Sequence, residues 1–182
     1  TTNRFGGVLA DDMGLGKTLQ ALAWIAWLRN AALNPQTCTL HPSLVVCPKS
    51  VTDNWVSESA RFYPSLRVRR WSGETADALT TARAEADIIV VNYAQLRSLS
   101  PAIAKVVWQA VILDEAQYIK NPDSQTAQAA RALKADYRLG LTGTPIENRL
   151  LDLWSIFSFA MPGVLGNRTE FPARGMFNGE AG

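Results

Sequence analysis

The segment Ala10-Asp11-Asp12-Met13-Gly14-Leu15-Gly16-Lys17-Thr18 lies between a short apolar run at 8–10 and a helical pattern that starts at Leu19. A strand, a loop with glycines and a helix, in this order, are the setting of a phosphate-binding loop. The glycines let the backbone turn tightly and direct successive N–H groups towards an anion at the positive end of the helix. Asp11 occupies the first glycine position of the pattern G-x-x-x-x-G-K-[ST], and the other defined positions match.

The charged chemistry of this loop comes from two side chains. Lys17 is placed to reach the β- and γ-phosphates of a nucleotide, and Thr18 to put its hydroxyl on Mg²⁺. The alternative is a glycine-rich turn before a helix that binds nothing. We predict that the nucleotide-binding residues are Asp12, Met13, Gly14, Leu15, Gly16, Lys17, Thr18 and Leu19.

Length and composition predict one α/β domain and leave the function open. The chain has 182 residues, 47% of them hydrophobic, which is enough for a single domain with a core. Its formal charge of +2 neither supports nor excludes binding to DNA, so any such binding needs a local patch. Cys38 and Cys47 lack metal-ligand spacing and are interpreted as reduced and structural. The absence of a long apolar run and of a signal sequence predicts a cytoplasmic protein, or a nuclear one in a eukaryote.

Strand and helix patterns alternate along the whole chain. The apolar runs at 44–47, 88–91, 111–113 and 138–141 predict strands buried on both faces, and 66–71 is a weaker candidate. Helical patterns lie at 18–32, 51–62, 75–85, 125–133 and 150–160, and Trp24 and Trp27 are expected to pack in the core. This alternation predicts a doubly wound fold, with a mostly parallel sheet and helices on both faces.

Two adjacent carboxylates, Asp114 and Glu115, follow the apolar run at 111–113. Ligands of open α/β sheets bind at the carboxyl ends of the strands. We therefore assign Asp114 to the metal ion and Glu115 to orienting or deprotonating the attacking water, with Lys17 as the third catalytic residue. The alternative is an exposed pair at a strand end without a chemical role.

A third polar stretch, Leu141-Thr142-Gly143-Thr144-Pro145, also ends an apolar strand. Its hydroxyls and its glycine suit a turn that senses the state of the phosphate site, while Pro145 fixes the exit from the strand. Taken alone it is only a turn. Together with the other two stretches it predicts a coupling element formed by Thr142, Gly143 and Thr144.

These three stretches resemble motifs I, II and III of the Swi/Snf-type ATPases of helicase superfamily 2, and the similarity covers about residues 6–168. The resembling stretches are Asp11-Asp12-Met13-Gly14-Leu15-Gly16-Lys17-Thr18-Leu19-Gln20, Asp114-Glu115-Ala116-Gln117-Tyr118-Ile119-Lys120-Asn121 and Leu141-Thr142-Gly143-Thr144-Pro145-Ile146-Glu147-Asn148. The resemblance implies ATP and Mg²⁺ as cofactors, and a RecA-like fold that is the first lobe of a two-lobed motor. Gln117 stands where many relatives have histidine, which favours a prokaryotic-type member.

Two further stretches resemble segments that grip the nucleic-acid backbone in this family. Cys47-Pro48-Lys49-Ser50 with Trp55 is similar to motif Ia, and Val91-Asn92-Tyr93 to the segment after the next strand. Lys49, Ser50, Asn92 and Tyr93 are therefore the predicted nucleic-acid contacts. Contacts to phosphates carry no base information, so binding should tolerate any sequence and weaken with salt. For each residue, the alternative is a loop that only caps a helix.

The resemblance also implies a division of the chain and of its parent. Residues 1–168 are interpreted as the ATP-binding lobe, truncated at its N-terminus, and 169–182 as an irregular tail. The partners are double-stranded DNA and a second RecA-like lobe of the same parent chain, whose arginines complete the site. An external arginine is worth about 10³ to 10⁵ in rate for such enzymes, so the lobe alone should turn over ATP very slowly.

The Thr-Gly-Thr turn, where RNA-unwinding relatives commonly have Ser-Ala-Thr, favours a translocase on double-stranded DNA that remodels protein–DNA complexes. A strand-separating helicase or an RNA-dependent ATPase of the same superfamily is the second hypothesis. A catalytically silent nucleotide-binding interaction module is the third.

Overall fold

The computed structural model describes residues 6–11, 14, 16–32, 41–71, 76–143, 150–169 and 171. These residues form a six-stranded sheet in the order β1-β6-β5-β2-β4-β3, and each neighbouring pair is parallel. The strands are β1 (Gly6–Ala10), β2 (Ser43–Cys47), β3 (Val68–Arg70), β4 (Ile88–Asn92), β5 (Val107–Leu113) and β6 (Lys134–Thr142). The helices are α1 (Lys17–Ala32), α2 (Thr52–Phe62), α3 (Ala76–Glu85), α4 (Tyr93–Ser98), α5 (Ser100–Ile103), α6 (Gln125–Ala132) and α7 (Leu150–Ala160). Lys49–Val51 and Ala116–Ile119 form 3₁₀ turns.

Helices cover both faces of the sheet, as the apolar strands require. One face packs against α1 and α2, with Leu22 and Trp55 in its core. The other face packs against α3 to α7, with Leu96 and Phe159 in its core. Every residue of β2 is buried, which is why the run at 44–47 is apolar without alternation. The predicted α/β fold with a parallel sheet and two helical layers is confirmed.

The prediction differs from the structure in three places. The strands β5 and β6 begin four residues before the apolar runs that predicted them, because they pair with each other back to Val107 and Lys134. Gln109 interrupts the apolar pattern in the added part of β5, and charged residues interrupt it in that of β6. The short helices α4 and α5 were not predicted, since neither is long enough to show a helical period. Trp27 was expected in the core but is 63% exposed, so that prediction is wrong.

Asp87 precedes β4 and lies at the edge of the sheet where the parallel strands begin. Its side chain is 3% exposed, pairs with the Arg29 guanidinium on α1 and accepts a 2.8 Å hydrogen bond from the Arg67 guanidinium. The backbone N–H of Arg67 donates a further bond of 2.9 Å. Burial would raise the pKa of Asp87, but these bonds and charges outweigh it and the pKa is lowered.

In the described ranges, no helix is both long and apolar enough to cross a membrane.

Candidate active site

The predicted functional residues meet at one edge because all the strands of the sheet are parallel. The loop with Lys17 follows β1, Thr142 ends β6, Asp114 follows β5, Lys49 follows β2, and Asn92 ends β4. Backbone hydrogen bonds also join the residues just after the strands to neighbouring strands. The N–H of Asp11 donates to the Thr142 carbonyl at 3.3 Å, and that of Asp114 to the Val46 carbonyl at 2.8 Å. Stretches more than 100 residues apart in sequence are therefore neighbours at the carboxyl edge.

Gly14 and Gly16, the two described glycines between β1 and α1, have the backbone conformation that the sequence predicts for them. Gly14 has a φ of 90° and Gly16 a φ of 71°, a region that residues with a Cβ atom rarely enter. Lys17 is the first residue of α1, and its Nζ donates to the Asp11 carbonyl over 2.8 Å. This bond folds the lysine back over the loop, so its charge lies where an anion at the helix N-terminus would be held. Of the other predicted residues, Thr18 is in the first turn of α1 and Leu19 is 36% exposed, whereas Asp12, Met13, Leu15 and Thr144 lie outside the described residues.

The carboxylate of Asp114 is enclosed by donors. Trp55, fully buried on α2, donates its indole N–H to Asp114 Oδ2 at 2.9 Å. The backbone N–H of Glu115 donates to Asp114 Oδ1 at 3.0 Å. Burial raises the pKa of Asp114 and the charge of Glu115 adds to this, while Trp55 and the charge of Lys17 act against it. A cation beside this carboxylate would stabilise its ionised form, as a metal ligand requires.

Glu115 lies in a turn with an unusual backbone. Its φ of 54° and ψ of 58° are left-handed, and it is the one non-glycine residue with positive φ in the described ranges. Its carboxylate accepts a 2.7 Å hydrogen bond from the side-chain amide of Gln117. A carboxylate held at a fixed place at this edge of the sheet can order or deprotonate a water molecule.

Gln117 links the acidic pair to the end of β6. Its Oε1 accepts a 2.9 Å bond from the Thr142 hydroxyl while its Nε2 donates to Glu115. Since an ionised carboxylate only accepts hydrogen bonds, the amide must present its NH₂ group to Glu115 and its oxygen to Thr142. The predicted coupling residue Thr142 therefore reaches Glu115 through one side chain, and Gly143 follows it in the turn.

From the sequence alone, Gln117 is only a variant position of the second motif, and Trp55 is only part of the resemblance to motif Ia. Both are supporting residues whose importance depends on tertiary contacts. One local signal could have indicated that Gln117 contacts Glu115. It lies two residues after Glu115, on a segment too short to be a regular helix.

The four predicted nucleic-acid contacts fall into two pairs. Lys49 and Ser50 are exposed on the 3₁₀ turn after β2, so their polar groups can reach a phosphate. Asn92 is instead the N-cap of α4, where its side chain accepts from Gln95 N at 3.0 Å. Tyr93 is 4% exposed, and its hydroxyl donates to the Asp114 carbonyl at 2.7 Å.

The position of Tyr93 argues against a nucleic-acid contact through its side chain. Burial, and next the charge of Asp114, raises the pKa of the Tyr93 phenol well above its ordinary value. The hydroxyl therefore stays protonated and remains a donor to the acidic turn.

Comparison with known proteins gives consistent matches over nearly the whole chain. The family model of the SNF2-related domain matches residues 1–178. An otherwise uncharacterized ATP-dependent helicase of Mycoplasma pneumoniae is 43% identical over 175 residues, which cover 93% of this chain and 16% of that protein. The TATA-binding protein-associated factor MOT1 of Saccharomyces cerevisiae is 40% identical over 176 residues, which cover 92% of this chain and 9% of MOT1.

Among solved structures, the SWI2/SNF2 ATPase core of Sulfolobus solfataricus in complex with dsDNA matches with a TM-score of 0.80. The two chains are 44% identical, and the match covers 93% of this chain and 34% of the Sulfolobus chain. This chain therefore spans a minor part of the length of each of these relatives.

Proposed function

Because the chain belongs to the SNF2-related domain family, we propose that it is the ATP-binding lobe of a DNA-dependent ATPase that translocates on double-stranded DNA. Translocation without strand separation would remodel protein–DNA complexes. The observation that carries the proposal is the meeting of Lys17, Asp114, Glu115 and Thr142 at one edge of the sheet, with Gln117 linking the last two. A cytoplasmic location, or a nuclear one in a eukaryote, belongs to the same proposal.

The donor set fits a magnesium nucleotide. Mg²⁺ usually takes one or two protein ligands and completes its shell with phosphate oxygens and water. Asp114 and Thr18 are the proposed protein ligands, and the burial that raises the pKa of Asp114 makes a neighbouring cation favourable. Bound Mg²⁺ would supply the positive charge that neutralises the phosphoryl group during transfer.

The chain's own residues divide the remaining work. Lys17 and the loop 12–19 bind and orient the phosphates through charge and backbone N–H groups. Glu115 holds the attacking water and accepts its proton. Gln117 fixes the Glu115 carboxylate, and Thr142 holds Gln117. Thr142, Gly143 and Thr144 are proposed to couple the state of the site to the motion of the lobes.

DNA binding is proposed at the turn after β2. Lys49 and Ser50 are exposed there and suit phosphate oxygens, and the relative from Sulfolobus was solved with dsDNA. Asn92 follows on the neighbouring strand β4 as a second candidate contact. Backbone contacts of this type are indifferent to base sequence and weaken as salt rises.

A second RecA-like lobe of the same parent is proposed to complete the site with arginines. The lobe is proposed to comprise residues 1–168. On this view the isolated lobe binds nucleotide and turns over very slowly, because an external arginine is worth about 10³ to 10⁵ in rate.

The test is phosphate release from ATP by the full-length protein, without nucleic acid and with single-stranded DNA, duplex DNA or RNA. We expect the largest stimulation by duplex DNA, with little turnover by residues 1–182 alone. Stimulation mainly by single strands or RNA would favour the helicase or RNA-dependent ATPase, and ATP-driven strand displacement would exclude pure translocation. A full-length protein without turnover would favour the silent binding module.

Glu115→Gln should leave ATP binding intact and abolish this turnover. The matched control is Glu85→Gln, which makes the same chemical change at an exposed residue near the opposite edge of the sheet, where Glu85 pairs with Arg69. Normal turnover in Glu115→Gln would remove this residue from the mechanism.

A further inference from the structure

The backbone at Glu115 adopts a conformation that a glutamate does not favour. Left-handed φ and ψ angles bring the Cβ atom close to the following carbonyl oxygen, and residues other than glycine, asparagine and aspartate rarely adopt them. Neighbouring groups must therefore hold the turn, since its own residues would relax it. The peptide group between Asp114 and Glu115 matters most, because it sets the direction in which the Glu115 side chain leaves the end of β5.

Several hydrogen bonds fix this turn. The carbonyl of Asp114 accepts from the Tyr93 hydroxyl at 2.7 Å, and the N–H of the same peptide group donates to Asp114 Oδ1 at 3.0 Å. The carbonyl of Glu115 accepts from the Tyr118 N–H at 3.0 Å and lies 3.4 Å from the Tyr93 hydroxyl. Of these donors, only Tyr93 comes from another part of the chain, more than 20 residues away.

Tyr93 is well suited to hold a neighbour in place. Its side chain is 4% exposed, and its ring stacks on Tyr118 with centroids 4.6 Å apart and an interplanar angle of 4°. It is the first residue of α4, whose start is fixed by reciprocal bonds between Asn92 and Gln95. Because its backbone is fixed at the start of α4 and its ring is stacked on Tyr118, Tyr93 holds its hydroxyl in one position.

We propose that Tyr93 is a positioning residue for Glu115, because its hydroxyl holds the peptide group that directs the Glu115 carboxylate. The inference rests on the proposed function, in which Glu115 acts on the attacking water. It reassigns Tyr93, predicted from the sequence as a nucleic-acid contact, to the hydrolytic step. Loss of the hydroxyl should therefore lower turnover while leaving nucleotide binding unchanged.

The experiment uses Tyr93→Phe in the full-length protein, which removes one oxygen atom and keeps the ring and its stacking. At saturating ATP and duplex DNA we expect kcat to fall about three- to tenfold, the effect of losing one neutral hydrogen bond that positions a reacting group. The dissociation constant for a non-hydrolysable ATP analogue should change less than about twofold, and its binding stoichiometry gives the fraction of folded sites.

The matched control is Tyr137→Phe. This change removes the same atom from the middle of β6, where Tyr137 pairs with Ala110 and packs against Trp24. It should leave kcat unchanged. A kcat within twofold of the wild-type value in Tyr93→Phe, or an equal loss in both variants, would overturn the inference.

A double variant separates positioning from general damage. If the hydroxyl acts through Glu115, adding Tyr93→Phe to Glu115→Gln should cause no further loss of the slow single-turnover rate that remains when steady-state turnover is abolished. A further loss equal to that of the single variant would show an independent effect and refute the inference. A wild-type protein without ATPase activity would overturn the proposed function itself, which distinguishes that failure from this one.

Discussion

Replacing Gln117 by leucine tests the link between the turn after β6 and the acidic pair. Leucine has a similar volume and keeps the apolar part of the side chain, but it can form neither of the two hydrogen bonds of Gln117. The Glu115 carboxylate then loses its 2.7 Å donor and the Thr142 hydroxyl loses its 2.9 Å acceptor. The backbone of the 3₁₀ turn Ala116–Ile119 should be retained, because leucine is compatible with it.

The size of the effect follows from the charge on one partner. A hydrogen bond to a charged group contributes about 1.5–3 kcal/mol, and a neutral one about 0.5–1.5 kcal/mol. If the bond to Glu115 is needed in the transition state, its loss lowers kcat about 10- to 150-fold, since each 1.36 kcal/mol is about tenfold in rate. The KM for ATP should change little, because Gln117 is not part of the phosphate loop.

The assay is steady-state phosphate release by the full-length protein at saturating duplex DNA, with ATP varied. The control is Gln128→Leu on α6. The side-chain amide of Gln128 donates to the backbone carbonyl oxygen of Asp123 at 3.1 Å, away from the acidic pair. Thr142→Val should show part of the same kcat loss, because it breaks the outer bond and spares the inner one. A Gln117→Leu protein with kcat within about threefold of the wild-type value would refute the link, since one charged hydrogen bond predicts more.

Three other substitutions test the loop and the framework. Lys17→Ala should raise the dissociation constant for Mg-ATP about 10- to 100-fold, because a charged phosphate partner is lost; unchanged affinity in a nucleotide-binding titration would argue against the loop assignment. Asp87→Asn should lower the free energy of unfolding by about 2–3 kcal/mol at neutral pH, less than for a fully buried ion pair because Arg67 is part exposed. The folded-state pKa of Asp87 is lowered, so its contribution is complete above about pH 4 and disappears as the pH falls further; denaturant titrations in which the two proteins differ equally at neutral and acid pH would contradict this. Gly6→Ala would place its Cβ atom against the Ala160 carbonyl oxygen, inside the van der Waals distance, so the free energy of unfolding should fall by about 3 kcal/mol or more. An unchanged melting temperature would contradict that packing.

Much of the fold was predictable because its signals are local. The continuous apolar strands, the helical period after Lys17 and the polar residues at strand ends are all read along a few residues of chain. They predicted the parallel α/β fold, and the resemblance of three motifs predicted the family; both predictions are confirmed. The extra length of β5 and β6 was not predictable, because it depends on the pairing of the two strands with each other, and Gln109, Lys134 and Asp136 interrupt the apolar pattern there.

The sequence alone determined the identity and order of the charged and polar residues in the motifs, because these can be recognised along the chain without knowledge of the fold. It could not determine which side chains support the acidic pair. Trp55 and Tyr93 lie 59 and 21 residues from Asp114, and Thr142 lies 25 residues from Gln117. These bonds form only when parallel strands bring their carboxyl ends to one edge. The tertiary structure therefore decided that Tyr93 is buried against the turn that contains Asp114 and Glu115, because burial and hydrogen-bond partners depend on residues distant in sequence.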